Sequence, residues 1–147
     1  MAAHVQKKMG AANAAVFDLN AGCSGFIYSL SVATSMIRAA GYQKALVIAC
    51  ERITWFLNWS LRDSAVLFGD GAGAVVLQPS EKESGLLASH LGCEGDALDA
   101  LIVSNFGTAG DRFVENYGNF DVNFDGREIF KRAVRGMAKE IRKVLSD

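Results

Sequence analysis

The chain has 147 residues, half of them hydrophobic, and its fifteen Lys and Arg against sixteen Asp and Glu leave a net charge of −1. This composition can build a packed core and excludes a disordered tract, and the lack of any basic or acidic block excludes nucleic acid as the main partner. No apolar run is long enough to span a bilayer, so no membrane partner is expected, and the opening Met1-Ala2-Ala3-His4-Val5-Gln6-Lys7-Lys8 lacks the apolar core of a secretory signal. The three cysteines, Cys23, Cys50 and Cys93, are odd in number and widely spaced. They make no disulfide framework, and with His4 and His90 they show no metal-ligand spacing, so no metal is expected and a reducing, cytoplasmic setting is.

In chain order, residues 2–13 read as the tail of a helix stopped by Gly10. Residues 15–19 read as a short apolar strand. Residues 25–40 read as a helix ended by Gly41; Phe26, Ile27, Leu30, Val32, Met36 and Ile37 lie on nearly every face, which predicts a helix buried all round. Residues 45–50 are continuously apolar, the pattern of a parallel strand covered on both faces, and strand, helix, strand predicts a right-handed crossover. A polar and aromatic connection over 51–63 carries Trp55, Phe56, Trp59 and Arg62. A glycine-rich turn then feeds a strand that ends near Gln78, with Pro79 closing it. Residues 86–91 read as the next strand, antiparallel by its short connection. Residues 94–125 read as a long loop with a short strand at 100–103, of the length that is usually functional. Residues 127–145 form the clearest amphipathic helix, with Phe130, Ala133, Val134, Met137, Ile141 and Val144 on one side and Lys131, Arg132, Arg135, Lys139 and Arg142 away from it. The expected class is α/β, with a mixed, mostly parallel sheet flanked by helices, in one partial domain over residues 1–147.

The run Phe17-Asp18-Leu19-Asn20-Ala21-Gly22-Cys23-Ser24-Gly25-Phe26 is the most informative stretch. It places Cys23 where a strand gives way to a helix, facing the positive end of the helix dipole and a row of unpaired N–H groups. Both favour thiolate over thiol, and the thiolate is the nucleophile. Small residues on either side let the turn be tight and let a substrate approach. Against this stands the ordinary role of a free cysteine as a small buried hydrophobe. The second motif, Gly69-Asp70-Gly71-Ala72-Gly73, leads into Val75-Val76, which favours a strand, whereas a dinucleotide fingerprint needs a helix there and a P-loop needs Gly-Lys-Ser/Thr. Its glycines are expected where backbones pack closely.

Taken together with Val5-Gln6-Lys7-Lys8-Met9-Gly10-Ala11, Leu67-Phe68-Gly69-Asp70-Gly71-Ala72-Gly73-Ala74 and Gly126-Arg127-Glu128-Ile129-Phe130-Lys131, the cysteine segment resembles the β-ketoacyl-acyl-carrier-protein synthase III family of thiolase-fold condensing enzymes. The resemblance runs over nearly the whole chain, apart from extra residues within 94–125. It implies part of a thiolase-like fold. It also implies a ping-pong condensation in which Cys23 takes an acyl group from acyl-CoA as a thioester, and malonyl-acyl carrier protein then loses CO₂ and attacks it. The backbone N–H of Cys23 would supply one oxyanion donor. By position, Arg62 would contact the adenine end of CoA, Ile53, Leu67 and Phe68 would wall the acyl pocket, Phe130 would line the pantetheine tunnel, and Lys131 would help dock the carrier protein. The alternatives are ordinary core for the apolar residues and solvated surface charge for Arg62 and Lys131. Leu61 stands where the family usually has Asp, and residues 55–59 also depart from the common pattern.

The resemblance implies a homodimer, with CoA thioester as substrate and no resident cofactor. It also implies a histidine and an asparagine on segments after the last helix, and a glycine oxyanion donor farther on. None of these is among the 147 residues, since His90 falls on the expected strand at 86–91 and His4 precedes the cysteine. The chain is therefore expected to be an internal portion of such an enzyme, inactive in condensation by itself. A related acyltransferase of secondary metabolism and a non-catalytic dimerisation or interaction module are the competing readings.

Overall fold

The computed structural model describes residues 1–82, 85–103 and 122–146. The element order is α1 (Ala2–Met9), α2 (Gly25–Ala40), β1 (Ala45–Glu51), α3 (Arg62–Ala65), β2 (Gly71–Leu77), β3 (Leu101–Val103), β4 (Val122–Phe124) and α4 (Gly126–Ser146), with short 3₁₀ turns at Gly22–Ser24, Ile53–Phe56 and Gly95–Ala100. The chain divides into two compact units, Met1–Ala49 with Ala74–Leu86, and Cys50–Gly73 with Leu87–Asp147.

In the first unit, α1 ends at Gly10, whose φ of 67° places its N–H within 3.2 Å of the Lys7 carbonyl while Ala11 N–H donates to Gln6. Only glycine adopts that left-handed conformation without strain, which is why the helix stops there. The other end of α1 meets Asp18: its Oδ1 accepts from Ala2 N–H at 2.9 Å and its Oδ2 from the Met1 ammonium at 2.6 Å. A carboxylate at a helix N-terminus is favoured by the unpaired N–H groups there. Gln6 Nε2 donates to the Ala14 carbonyl at 2.7 Å. Residues 14–20 are thus tied to α1 by side chains and carry no strand, contrary to the expectation for 15–19. Without that strand the expected crossover is not formed among the described residues.

Helix α2 spans Gly25–Ala40 and stops at Gly41, φ 71°, as the sequence leads one to expect. It is not buried all round: Ile27 is exposed, and Phe26, Leu30, Val32, Met36 and Ile37 are half-buried. Among the described residues the sheet of this unit pairs β1 with β2 alone, and two strands are too narrow to enclose a helix of sixteen residues. For the same reason β1 buries Val47 while Leu46 and Ile48 stay exposed, so the strand is not covered on both faces. Gly71 and Gly73 lie within β2 itself and not in a turn before it.

In the second unit, Leu57, Ser64, Ala65 and Ala100 are the buried residues among those described. The described parts of the expected loop, 94–103 and 122–125, hold regular structure. The turn Gly95–Ala100 leads into β3, which pairs antiparallel with β4 in the register Leu101↔Phe124, Ile102↔Asn123, Val103↔Val122. Residues 104–121 lie outside the described residues. Asp125 then starts α4: its Oδ1 accepts from Glu128 N–H at 3.0 Å, the N-cap bond that Asp three residues before Glu favours. Residues 86–91 form no strand; His90 is held by side chains of α4, Nδ1 against Glu140 and Nε2 2.5 Å from Lys143 Nζ. Arg132 reaches Glu128 at 2.8 Å, Glu94 at 3.2 Å and Asp96 at 3.5 Å. Along α4, Ile129, Arg132, Ala133, Gly136, Glu140 and Val144 are half-buried, while Lys131, Arg135, Lys139 and Arg142 are exposed and so are Phe130, Val134, Met137, Ile141 and Leu145, so most of the apolar side that an amphipathic helix ordinarily buries is left uncovered.

Candidate active site

Cys23 sits in the middle of the turn Gly22–Ser24, which runs directly into α2. Three hydrogen bonds shape that turn: Gly22 N–H donates to Asn20 Oδ1 at 3.3 Å, Ser24 N–H to the Ala21 carbonyl at 3.3 Å, and Gly25 N–H to the Gly22 carbonyl. Gly22 has φ +52°, a conformation costing a non-glycine residue about 1–2 kcal/mol. The glycine before the cysteine is thus required by the backbone, as the tight junction implied. Cys23 is exposed, so the reading of it as a buried hydrophobe is corrected: the turn carries it outward, ahead of the helix it precedes. Cys50 and Cys93 are also free and exposed, so exposure alone does not single Cys23 out. Its place at the start of a sixteen-residue helix does.

The other candidate residues belong to the second unit. Ile53 opens the turn Ile53–Phe56 and is half-buried. Arg62 is the first residue of α3, whose Ser64 and Ala65 face inward, leaving Arg62 and Leu67 exposed. Leu67 at 59% and Phe130 at 70% exposure are free to line a surface and are not core, against the ordinary-core alternative. Phe68 is half-buried against Phe124, ring centroids 6.0 Å apart and edge-on at 82°. Lys131 is exposed on α4.

Two contacts were not foreseen from the sequence. Asp70 accepts from Thr54 N–H at 2.9 Å and from Thr54 Oγ1 at 2.7 Å, pinning the Ile53–Phe56 turn to the loop before β2. Arg52 lies 4.8 Å from the centroid of the Trp55 ring, a cation–π pair. Partners sixteen residues apart leave no periodic signal, although Asp70 between two glycines marks a carboxylate at a tight backbone. A cavity of about 230 Å³ is lined by Asp96, Asp99, Asp125, Glu128 and Arg132. Its carboxylates repel phosphate-bearing ligands, so it is no seat for CoA. Among the described residues no group of His, Cys, Asp and Glu could hold a metal, and no helix is long and apolar enough to cross a membrane.

A profile of the 3-oxoacyl-[acyl-carrier-protein] synthase III family matches residues 17–95, which include the cysteine turn, α2, β1 and β2. The chain belongs to that family. It is 50% identical over 146 residues to β-ketoacyl-[acyl-carrier-protein] synthase III 2 of Vibrio cholerae, covering 99% of this chain and 40% of that protein. It is 50% identical over 137 residues to the synthase III of a Roseiflexus species, again with 41% of the relative covered. Among solved structures, the synthase III of Aquifex aeolicus matches with a TM-score of 0.84 at 39% identity, over 99% of this chain and 43% of that one. A priming β-ketosynthase of a polyketide pathway matches with a TM-score of 0.82 at 30% identity, over 96% and 42%. The chain thus spans about 40% of the length of the synthase III relatives it matches, and its α/β fold is the thiolase-like one of that family.

Proposed function

We propose that this chain is the nucleophile-bearing portion of a β-ketoacyl-acyl-carrier-protein synthase III, a cytoplasmic acyltransferase of fatty-acid synthesis. Cys23 attacks the thioester carbonyl of an acyl-CoA primer, the C–S bond to CoA breaks, and the acyl group stays on Cys23 as a thioester. The carbonyl oxygen's charge is taken up by the Cys23 N–H and by the positive end of α2. In a complete site, malonyl-acyl carrier protein then loses CO₂ and its carbanion displaces Cys23, giving a 3-ketoacyl product. Arg62 contacts the adenine end of CoA, where a planar guanidinium suits a planar ring. Ile53, Leu67 and Phe68 wall the acyl pocket, Phe130 lines the pantetheine tunnel and Lys131 meets the acidic carrier protein. The enzyme works as a homodimer and needs no cofactor beyond its CoA thioester substrate.

The observation that supports this reading best is an exposed thiol, set by a left-handed glycine at the start of a sixteen-residue helix, within the segment that the family profile matches. Incubation with acetyl-CoA followed by intact-protein and peptide mass spectrometry tests it. One thioester-bound acetyl group on Cys23, absent in Cys23→Ser, is expected; acylation indifferent to that substitution overturns the reading.

A second reading, a priming ketosynthase of secondary metabolism, is favoured by the polyketide-pathway neighbour and by Leu61 and residues 55–59, which depart from the family's pattern beside Arg62. Preference for malonyl-CoA over malonyl-carrier protein as acceptor, or for long or branched primers, distinguishes it. A non-catalytic dimerisation module is the outcome if Cys23→Ser leaves the biological activity intact.

A further inference from the structure

We propose that Lys143 is a nucleophilic amine that accepts acyl groups directly from thioesters, served by His90 as base and Glu140 as its orienting carboxylate. Glu140 and Lys143 stand three residues apart on α4, so both project from one face of the helix. His90 enters between them from the segment ahead of Gly92. Its Nδ1 lies against Glu140 Oε2, and both of these atoms are closed off from solvent. Its Nε2 lies 2.5 Å from Lys143 Nζ, and Lys143 itself is exposed.

The tautomer follows from the partners. A carboxylate only accepts, so the imidazole proton sits on Nδ1 and the Nε2 lone pair faces the amine. A carboxylate, an imidazole and a nucleophile in line is the arrangement by which a weak nucleophile is activated, here with nitrogen as the nucleophilic atom. Moving a proton from Nζ to Nε2 leaves a neutral amine beside an imidazolium, and Glu140, whose Oε2 is closed off from solvent, stabilises that imidazolium. The amine then attacks the thioester carbonyl. The Nζ–C bond forms, the C–S bond breaks, the proton held on Nε2 goes to the departing thiolate, and the surplus proton of the acylated nitrogen passes to the freed Nε2 and from there to water. The products are an amide on Lys143 and a free thiol, with no further reactant needed. A contact that merely anchors residues 86–92 to α4 requires none of this chemistry.

The test uses the 147-residue chain with acetyl-CoA as the probe, reading acetylation of each lysine by peptide mass spectrometry over time. Lys143 is expected to acetylate about a hundred-fold faster than Lys139 on the same helix or Lys8 elsewhere, the low end of what a positioned base supplies. His90→Ala and Glu140→Gln are each expected to bring Lys143 down to the rate of Lys139, with imidazole in the buffer partly restoring the His90→Ala chain and far-UV dichroism showing that the helices persist. Cys23→Ser is expected to leave Lys143 labelling intact. The proposal is overturned if Lys143 reacts no faster than Lys139, if both substitutions leave its rate unchanged, or if labelling vanishes with Cys23→Ser, because the acyl group then comes from that thiol and not from CoA.

Discussion

Thr54 gives both of its donors to Asp70, the amide at 2.9 Å and the hydroxyl at 2.7 Å. This pair fixes where the turn carrying Ile53 lies relative to the loop that opens β2. The Thr54 amide first and then its hydroxyl hold the Asp70 carboxyl below its ordinary value of 3.8, against an opposing effect of burial and with a lesser contribution from the charge of Arg52. A depressed carboxylate stabilises the fold above its unfolded pKa, and that contribution disappears as pH falls through the folded value. The melting temperatures of wild type and Asp70→Asn are therefore expected to differ at neutral pH and to converge as pH is lowered below about 4. A gap that persists undiminished at pH 2 would show that Asp70 acts through something other than its charge.

Asp18 behaves in the same direction for a different reason. Its carboxyl is lowered mainly by the Met1 ammonium and then by Ala2 N–H. Both donors belong to the first turn of α1, so Asp18→Asn is expected to fray that helix, and acetylating the N-terminus is expected to lose part of the same effect. Loss of amide-exchange protection limited to residues 2–9 is the signature to look for.

Cys23 is expected to alkylate faster than Cys50 and Cys93 under limiting iodoacetamide, although all three are exposed. The difference comes from the start of α2, not from access. Gly22→Ala strains a backbone at φ +52° by about 1–2 kcal/mol and is expected to slow Cys23 selectively. Equal rates for the three thiols would remove the case for Cys23 as nucleophile.

The chain is expected to load an acyl group but not to condense it with malonyl-carrier protein. Its two histidines are His4, on α1, and His90, which is engaged by Glu140 and Lys143. By the resemblance to the family, neither corresponds to the histidine that stabilises a malonyl carbanion. Release of labelled CO₂ from malonyl-carrier protein at a rate matching acyl loading would contradict this.

The exposed stripe Phe130, Val134, Met137, Ile141 and Leu145 predicts self-association of the chain in solution. Met137→Lys with Ile141→Lys is expected to shift the sedimentation profile toward monomer without loss of helicity. A wild-type chain that sediments as a single monomer at all concentrations would mean that the stripe is covered.

The sequence by itself determined the ends of the helices and the place of the thiol. Gly10 and Gly41 take left-handed conformations that other residues resist, Asp125 and Glu128 encode the start of α4, and Gly22 before Cys23 encodes the turn that turns the sulfur outward. These are local effects, settled by residues within a turn of one another, and so they can be read along the chain. Which strands form, and which face of a helix is covered, depended on partners far away in sequence. Residues 15–19 and 86–91 carry strand-like patterns, yet Asp18 accepting from the start of α1 and His90 against side chains of α4 hold these stretches, and no ladder among the described residues does. Likewise α4 has the expected amphipathic period, but Arg132 found Glu94 and Asp96, thirty-eight and thirty-six positions back, and is half-buried where the period turns it away from the apolar side. Hydrogen bonds and ion pairs across such separations leave no periodicity, so Thr54 with Asp70 and His90 with Glu140 and Lys143 came only from the tertiary structure.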